Sequence, residues 1–312
     1  MKLICICGPT ATGKTKLGVE LALQLNGEIV SCDSMQLYRG MDIGTAKATP
    51  EEMRGVPHHM LDVLEPEQHA SVSLYTQLAD KCISDITSRG KLPIVVGGTA
   101  LYMDSLIKGD GFAGPAPDPQ LRAILNAQAS TEAGLNELRE QLRQGDEKSF
   151  NKLHPNDKKR IVRAIEVLRT TGKPISEHDF FSAIKPPKYQ AIRIILSCAD
   201  RSVLYNRINL RVDQMIESGL ECEVKHLLAL GLENATSMQA IGYKEFAQYL
   251  RGECSFEDAV ESVKRESRRY AKRQLTWLRR YTDCLWINTD EYPDFETVVR
   301  ISTEYLAAHN VK

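Results

Sequence analysis

Apolar runs and helical stripes alternate through the first hundred residues. Lys2–Cys7 is a short, almost wholly apolar run of the kind buried on both faces of a parallel sheet, and Lys14–Leu25 carries Leu17, Leu21 and Leu25 at helical spacing. Glu28–Ser31 reads as a second short strand. Ser73–Arg89 has apolar residues at 74, 78, 82, 83 and 86, with Gly90 placed to end the helix, and Leu92–Val96 is again a buried strand. Gly97-Gly98-Thr99 then turns into another helix. From about Pro119 to Gly172 the pattern is almost wholly helical, between a Gly- and Pro-rich stretch at Gly109–Pro119 and Lys185-Pro186-Pro187-Lys188. Strand character returns at Gln190–Ser197, followed by helices from Asp200 to about Leu230. The alternation predicts an α/β fold with a parallel sheet, formed by residues 1–115 and 188–312 and interrupted by an all-helical insertion at 116–187. Ligands of such sheets bind at the carboxyl ends of the strands.

Composition narrows the function classes. With 42% apolar and 26% charged residues the chain is an ordinary globular one, and a net charge of −1 excludes nucleic-acid binding through bulk charge. Any such site has to be a local patch. The N-terminal apolar run is too short for a signal peptide or a membrane span, so a cytoplasmic protein with no membrane partner is expected. Eight cysteines show no zinc-like spacing, and Cys5 and Cys7, alternating on a strand, read as buried on one face.

The chemistry begins at Gly8-Pro9-Thr10-Ala11-Thr12-Gly13-Lys14-Thr15, which matches G-x-x-x-x-G-K-[ST] between a strand and a helix. Backbone N–H groups and the helix N-terminus form an anion nest there, Lys14 adds a point charge and the Thr15 hydroxyl can ligate Mg²⁺. The motif reports a P-loop NTPase-like core and a di- or triphosphate, without saying which. Asp33, just past the second strand, could bind Mg²⁺ or act as a base. Farther on, Lys264–Arg280 holds eight basic residues against one acid, Glu266, which suggests an RNA footprint on a helix face.

Three longer stretches go together: GPTATGKT at 8–15, DSMQLYRGMDIGTAK at 33–47 and VVGGTALY at 95–102. They are joined by HPND at 154–157 with Arg160 and Arg163, RINLR at 207–211, AIGYKE at 240–245 and KRQLTWLR at 272–279. In this the chain resembles the bacterial tRNA dimethylallyltransferases (tRNA isopentenyltransferases) over nearly its whole length. Lys158-Lys159 departs from the family pattern, and the cysteine spacing predicts no zinc finger of the kind eukaryotic relatives carry. The resemblance implies transfer of a dimethylallyl group from its diphosphate to N6 of the adenine 3′ of the anticodon, releasing pyrophosphate, by a monomer using Mg²⁺. It implies that residues 8–15 bind the donor, that Lys14, Thr15 and Arg211 stabilise the leaving group with help from Arg207, and that Asp33 and Thr99 act on the adenine. It carries over, as tRNA contacts, Asp33, Ser34, Met35, Gln36, Thr99, Arg122, Lys159, Arg160, Arg163, Gln239, Ala240, Ile241, Gly242, Tyr243, Lys244, Arg268, Lys272, Arg273, Gln274, Trp277 and Arg279. Two other readings compete on the residues alone, a P-loop small-molecule or nucleoside kinase and a non-catalytic RNA-binding P-loop switch.

Overall fold

A computed structural model describes residues 1–109, 118–178 and 186–311. The chain divides into two compact units, Met1–Gly109 with Lys188–Lys312, and Asp110–Pro187. The junction expected at 115/116 and Lys185 of the second boundary lie outside the described residues.

The first unit is built on six parallel strands, β1 (Lys2–Cys7), β2 (Gly27–Ser31), β3 (His58–His59), β4 (Leu92–Gly97), β5 (Gln190–Ser197) and β6 (Leu285–Asn288), in the order β3-β2-β4-β1-β5-β6. From β1 the chain moves to one side of the sheet and from β4 to the other, so the crevice above β1 and β4 is the place where an α/β sheet binds its ligand. β1 is apolar throughout because both its faces are covered. Leu3, Cys5 and Cys7 enter one core with the helices Val72–Ser88, Ala100–Lys108, Leu220–Ala229, Tyr243–Leu250 and Phe256–Leu278. Ile4 and Ile6 enter the other with Lys14–Gln24 and Phe295–Ala308. Burial pushes the Cys7 thiol up to about 12, which keeps it a small hydrophobe. Ile4 and Ile6 are fully buried, and truncating either to alanine would cost about 2–5 kcal/mol.

A smaller cluster locks the phosphate loop to two helices. Cys198 at the end of β5, Leu204 and Ile208 of Arg201–Glu217, and Ala271 and Leu275 of Phe256–Leu278 pack together, with Ala11 against them.

The second unit includes the helices Pro119–Gln128, Glu132–Gly145, Glu147–Lys152 and Lys158–Thr171 around Leu125, Leu138, Leu142, Ile161 and Ile165. Asp118, Thr131, Asp146 and Asp157 each accept a backbone N–H at a helix start, which fixes where the helices begin. Among the described residues no helix is long and apolar enough to cross a membrane.

Candidate active site and nucleic-acid interface

The segments that leave β1, β2 and β4 carry the motif residues. Gly8 follows β1 at φ +153°, and a Cβ there would fall 2.4 Å from the Leu196 carbonyl of β5, so only glycine lets the loop lie this close. Gly13 is the N-cap of Lys14–Gln24 and supplies no side-chain cap, leaving the first amides of that helix to an incoming anion. Lys14 Nζ folds back onto the Pro9 carbonyl at 2.6 Å, and Thr12 Oγ1 donates to the same oxygen at 2.9 Å.

Arg211, on Arg201–Glu217, has a buried Nε with no hydrogen-bond partner among the described residues. Leaving such a donor unsatisfied costs about 1–3 kcal/mol, and more for a charged group. Burial lowers the Lys14 ammonium to about 8, helped by the neighbouring Arg211 charge and opposed by Asp33. Burial also lowers Arg211, again opposed by Asp33. Two desolvated cations meet here, with Asp33 acting on both and Glu52 on Arg211, and an incoming oxyanion would add negative charge beside them.

Asp33 follows β2. Its Oδ1 accepts from Met35 N at 2.9 Å, and the next amide, Ser34 N, donates to Thr99 Oγ1 at 3.2 Å. Thr99 holds the N-cap position of Ala100–Lys108, yet its hydroxyl does not cap that helix and turns across to the Asp33 segment. Tyr270, which the sequence reading did not select, has its phenol near Thr99 and Asp33. Burial and the Asp33 charge push its phenol up to about 12. The available signal was its spacing, one helical turn before Gln274 on the inward side.

The stretch 34–47 forms a braced rim beside Asp33. Gln36 accepts from Ser31 Oγ at 2.8 Å and donates to the carbonyls of Thr45 and Ala46 at 3.2 and 3.3 Å. Glu223 accepts from the amides of Asp42, Ile43 and Gly44 at 2.8, 2.9 and 3.1 Å, and from Tyr243 Oη at 2.5 Å. Lys47, 6% exposed, donates to Tyr38 O, Asp42 and Asp62 at 2.6, 2.6 and 2.5 Å.

Two family models match the chain, "Isopentenyl transferase" over residues 1–68 and "IPP transferase" over residues 36–281. It is 47% identical over 309 residues to the tRNA dimethylallyltransferase of Thermoanaerobacter sp. (strain X514), covering 98% of each chain. The Bacillus licheniformis tRNA dimethylallyltransferase is 48% identical over 286 residues, 92% of this chain and 90% of that one. The chain belongs to the tRNA dimethylallyltransferase family. Two solved structures of the family share its P-loop NTPase-like α/β fold. The tRNA isopentenylpyrophosphate transferase of Bacillus halodurans has 43% identity and a TM-score of 0.74, covering 98% of this chain and 96% of that one. A eukaryotic dimethylallyltransferase acting on tRNA has 30% identity and a TM-score of 0.84, covering 99% and 79%.

The structure divides the remaining residues that the family resemblance implies as RNA contacts. Gln239, Lys244, Lys272, Arg273 and Arg279 are exposed, while Ser34, Met35 and Ile241 are half-buried. Lys272, Arg273, Thr276, Trp277 and Arg280 line a groove of about 300 Å³, with the Arg280 guanidinium 4.9 Å from the Trp277 ring. In the second unit Lys159 and Arg160 are exposed, Arg160 at 73% with Asp157 3.2 Å away.

Several residues carried over from the family have partners within the chain. Tyr243 is 0% exposed, Ala240 is buried, and Gly242 at φ +97° serves the turn before Tyr243–Leu250. Gln36 braces the rim, Gln274 lies buried between two loops, and Trp277 Nε1 donates to Asp104 at 2.9 Å. Arg122 and Arg163 both pair with Glu166, itself 0% exposed, so much of their charge is spent inside the helical unit. Arg268 is held by Asn209 at 2.7 Å and Glu261 at 2.8 Å. Arg207 donates to Thr289 Oγ1 at 2.7 Å and so ties its helix to the end of β6, whereas Arg211 Nε has no hydrogen-bond partner among the described residues.

Proposed function

We propose that this chain transfers a dimethylallyl group from dimethylallyl diphosphate to N6 of the adenine 3′ of the anticodon in tRNA, with release of pyrophosphate. The observation that carries the proposal is the unpartnered buried Nε of Arg211 beside a desolvated Lys14, with Asp33 and Thr99 on the adjoining strand ends. Negative charge grows on the pyrophosphate oxygens as the allylic C–O bond breaks, and the loop amides, Lys14 and Arg211 offer it donors that need no reorganisation. The adenine amine is a weak nucleophile because its lone pair is delocalised. Asp33 accepts its proton and Thr99 orients the base, a pairing worth about 10²- to 10⁴-fold in rate.

The donor set suits Mg²⁺. The Thr15 hydroxyl, in the first turn of Lys14–Gln24, is a hard oxygen ligand of the kind Mg²⁺ takes. Mg²⁺ takes one or two protein oxygens together with phosphate and water. Bound there it would neutralise charge on the leaving pyrophosphate.

The target base has to leave its stack to reach this crevice, at a cost of a few kcal/mol that backbone contacts must offset. Lys272, Arg273, Arg279 and Arg280 on the first unit, and Lys159 and Arg160 on the second, are the exposed cations for that grip. We take the enzyme to act as a monomer in the cytoplasm. The kinase and RNA-switch readings draw no support from the relatives. Incubation with bulk tRNA and either labelled dimethylallyl diphosphate or labelled ATP tests all three. Label should enter RNA from the prenyl donor alone, and transfer from ATP alone would overturn the proposal.

A further inference from the structure

β1 and β4 lie side by side, and their parallel ladder ends at the pair Cys7 and Gly97. Beyond it the chains diverge into the phosphate loop and the Gly97–Thr99 turn, which in the reading above hold the donor and the adenine. One side chain spans the gap. Gln274, 5% exposed, accepts from Thr10 N through Oε1 at 3.3 Å and donates to the Gly98 carbonyl through Nε2 at 2.9 Å. A backbone N–H can only donate and a carbonyl only accept, so these two partners fix which way the amide faces. The amide therefore does what a peptide unit of an intervening strand would do. Gly98 makes room for it, since a Cβ there would fall 2.2 Å from Gln274 Nε2. The helix that carries Gln274 is held in place by Ala271 and Leu275, which pack with Ala11 against them.

We propose that Gln274 is a positioning residue that sets the distance between the prenyl donor and the adenine, acting as a substitute rung between the loops that hold them. The proposal rests on the prenyl-transfer reading above. Reacting atoms must approach to about 3–3.5 Å, and a misplacement of about 1 Å costs about a hundredfold in rate. A rung between the loops leaves each loop's own binding groups in place, so its loss separates reaction from binding. The family resemblance assigns Gln274 to the tRNA surface, whereas both ends of its buried amide are engaged by the enzyme's own backbone.

The test starts from wild-type enzyme shown to prenylate tRNA; failure at that point would sink the underlying reading and leave nothing for a rung to align. Gln274→Leu removes both bonds at similar volume, and Gln274→Glu keeps the acceptor while losing the donor. In variants with a near-wild-type Tm, the single-turnover transfer rate should fall about tenfold to a hundredfold. The Kd for tRNA alone and for dimethylallyl diphosphate alone should stay within about threefold of wild type, a split that general loss of structure would not give. Misalignment should also let water replace the amine. The allylic C–O bond then breaks with its electron pair leaving on pyrophosphate, the water oxygen bonds to the carbon, and its proton goes to solvent. The ratio of dimethylallyl alcohol to prenylated tRNA should therefore rise. Gly98→Ala displaces the amide without altering Gln274 and should reproduce both effects, with the double variant no worse than the more impaired single one. If the Gln274 variants do not fold, Gly98→Ala decides the matter on the same two readouts. A folded variant with wild-type rate and product ratio, or one whose whole defect lies in tRNA affinity, would overturn the proposal.

Discussion

The phosphate loop and the long helix Phe256–Leu278 both concentrate positive charge, and they do it in opposite ways. At the loop there are two cations, Lys14 and Arg211, desolvated enough that burial lowers both, with Asp33 as their acidic neighbour. The stretch Lys264–Arg280 has eight, but its first half is largely neutralised: Lys264 pairs with Asp213, Arg268 with Glu261, and Arg265 and Arg269 with Glu266. In the second half Arg273 and Arg280 lie over the rings of Tyr270 and Trp277. A count of charges is thus a poor guide to a site, because a buried cation acts at full strength while a paired exposed one contributes about 0–1 kcal/mol. In the function proposed above, the two desolvated charges meet the leaving group and the half-compensated row meets RNA.

The sharpest way to break this contrast is at the loop. Lys14→Ala should lower kcat about 10²- to 10³-fold, since the charge it meets grows only in the transition state. A steady-state assay returning wild-type kcat would remove the loop from the leaving-group site. Asp33→Asn keeps the shape but removes the basic lone pair, and should cost about a hundredfold in kcat with little change in tRNA affinity. Rescue of that rate by raised Mg²⁺ would make Asp33 chiefly a metal ligand. On the helix, reversing Lys272, Arg273 and Arg279 to Glu should weaken tRNA binding and flatten its salt dependence by up to about three units of slope. The matched reversal of Lys264, Arg268 and Arg269 should change the slope by less than about one unit, because their charge is already offset. Equal slopes for the two folded variants, measured by titration at several salt concentrations, would erase the distinction between the halves. The smallest effect is in pH. Diphosphate binds the protonated Lys14, which burial lowers to about 8, so donor Kd should be level between about pH 7 and that value and rise up to about tenfold per unit above it. Lys14→Arg, which stays charged, should remove the rise.

How much of this was legible in the sequence depends on how far apart the partners are. Residues 8–15 could be read directly because loop, charge and helix start are contiguous, and β1, β4 and β5 because both their faces are buried. β3 has only two residues and β6 four, too short for a period to register. The family resemblance gave the residue types at the crevice without their internal partners. Nothing near Arg122 announces that Glu166, 44 positions on, will absorb its charge. The same holds for Tyr243, whose hydroxyl belongs to Glu223, and for Gln274, whose two partners lie 264 and 176 residues away. Side-chain bonds of that range are products of the assembled fold, so a linear reading finds the residue and misses its work.

The rim at 36–47 has a thermodynamic consequence of its own. Three of its amides converge on Glu223, Lys47 ties it to Asp62, and Gln36 closes it from within. Fixing a residue's backbone costs about 1–2 kcal/mol of conformational entropy, and here folding meets that cost before any nucleotide arrives. A segment ordered in this way has little conformational entropy left to lose when a ligand is met.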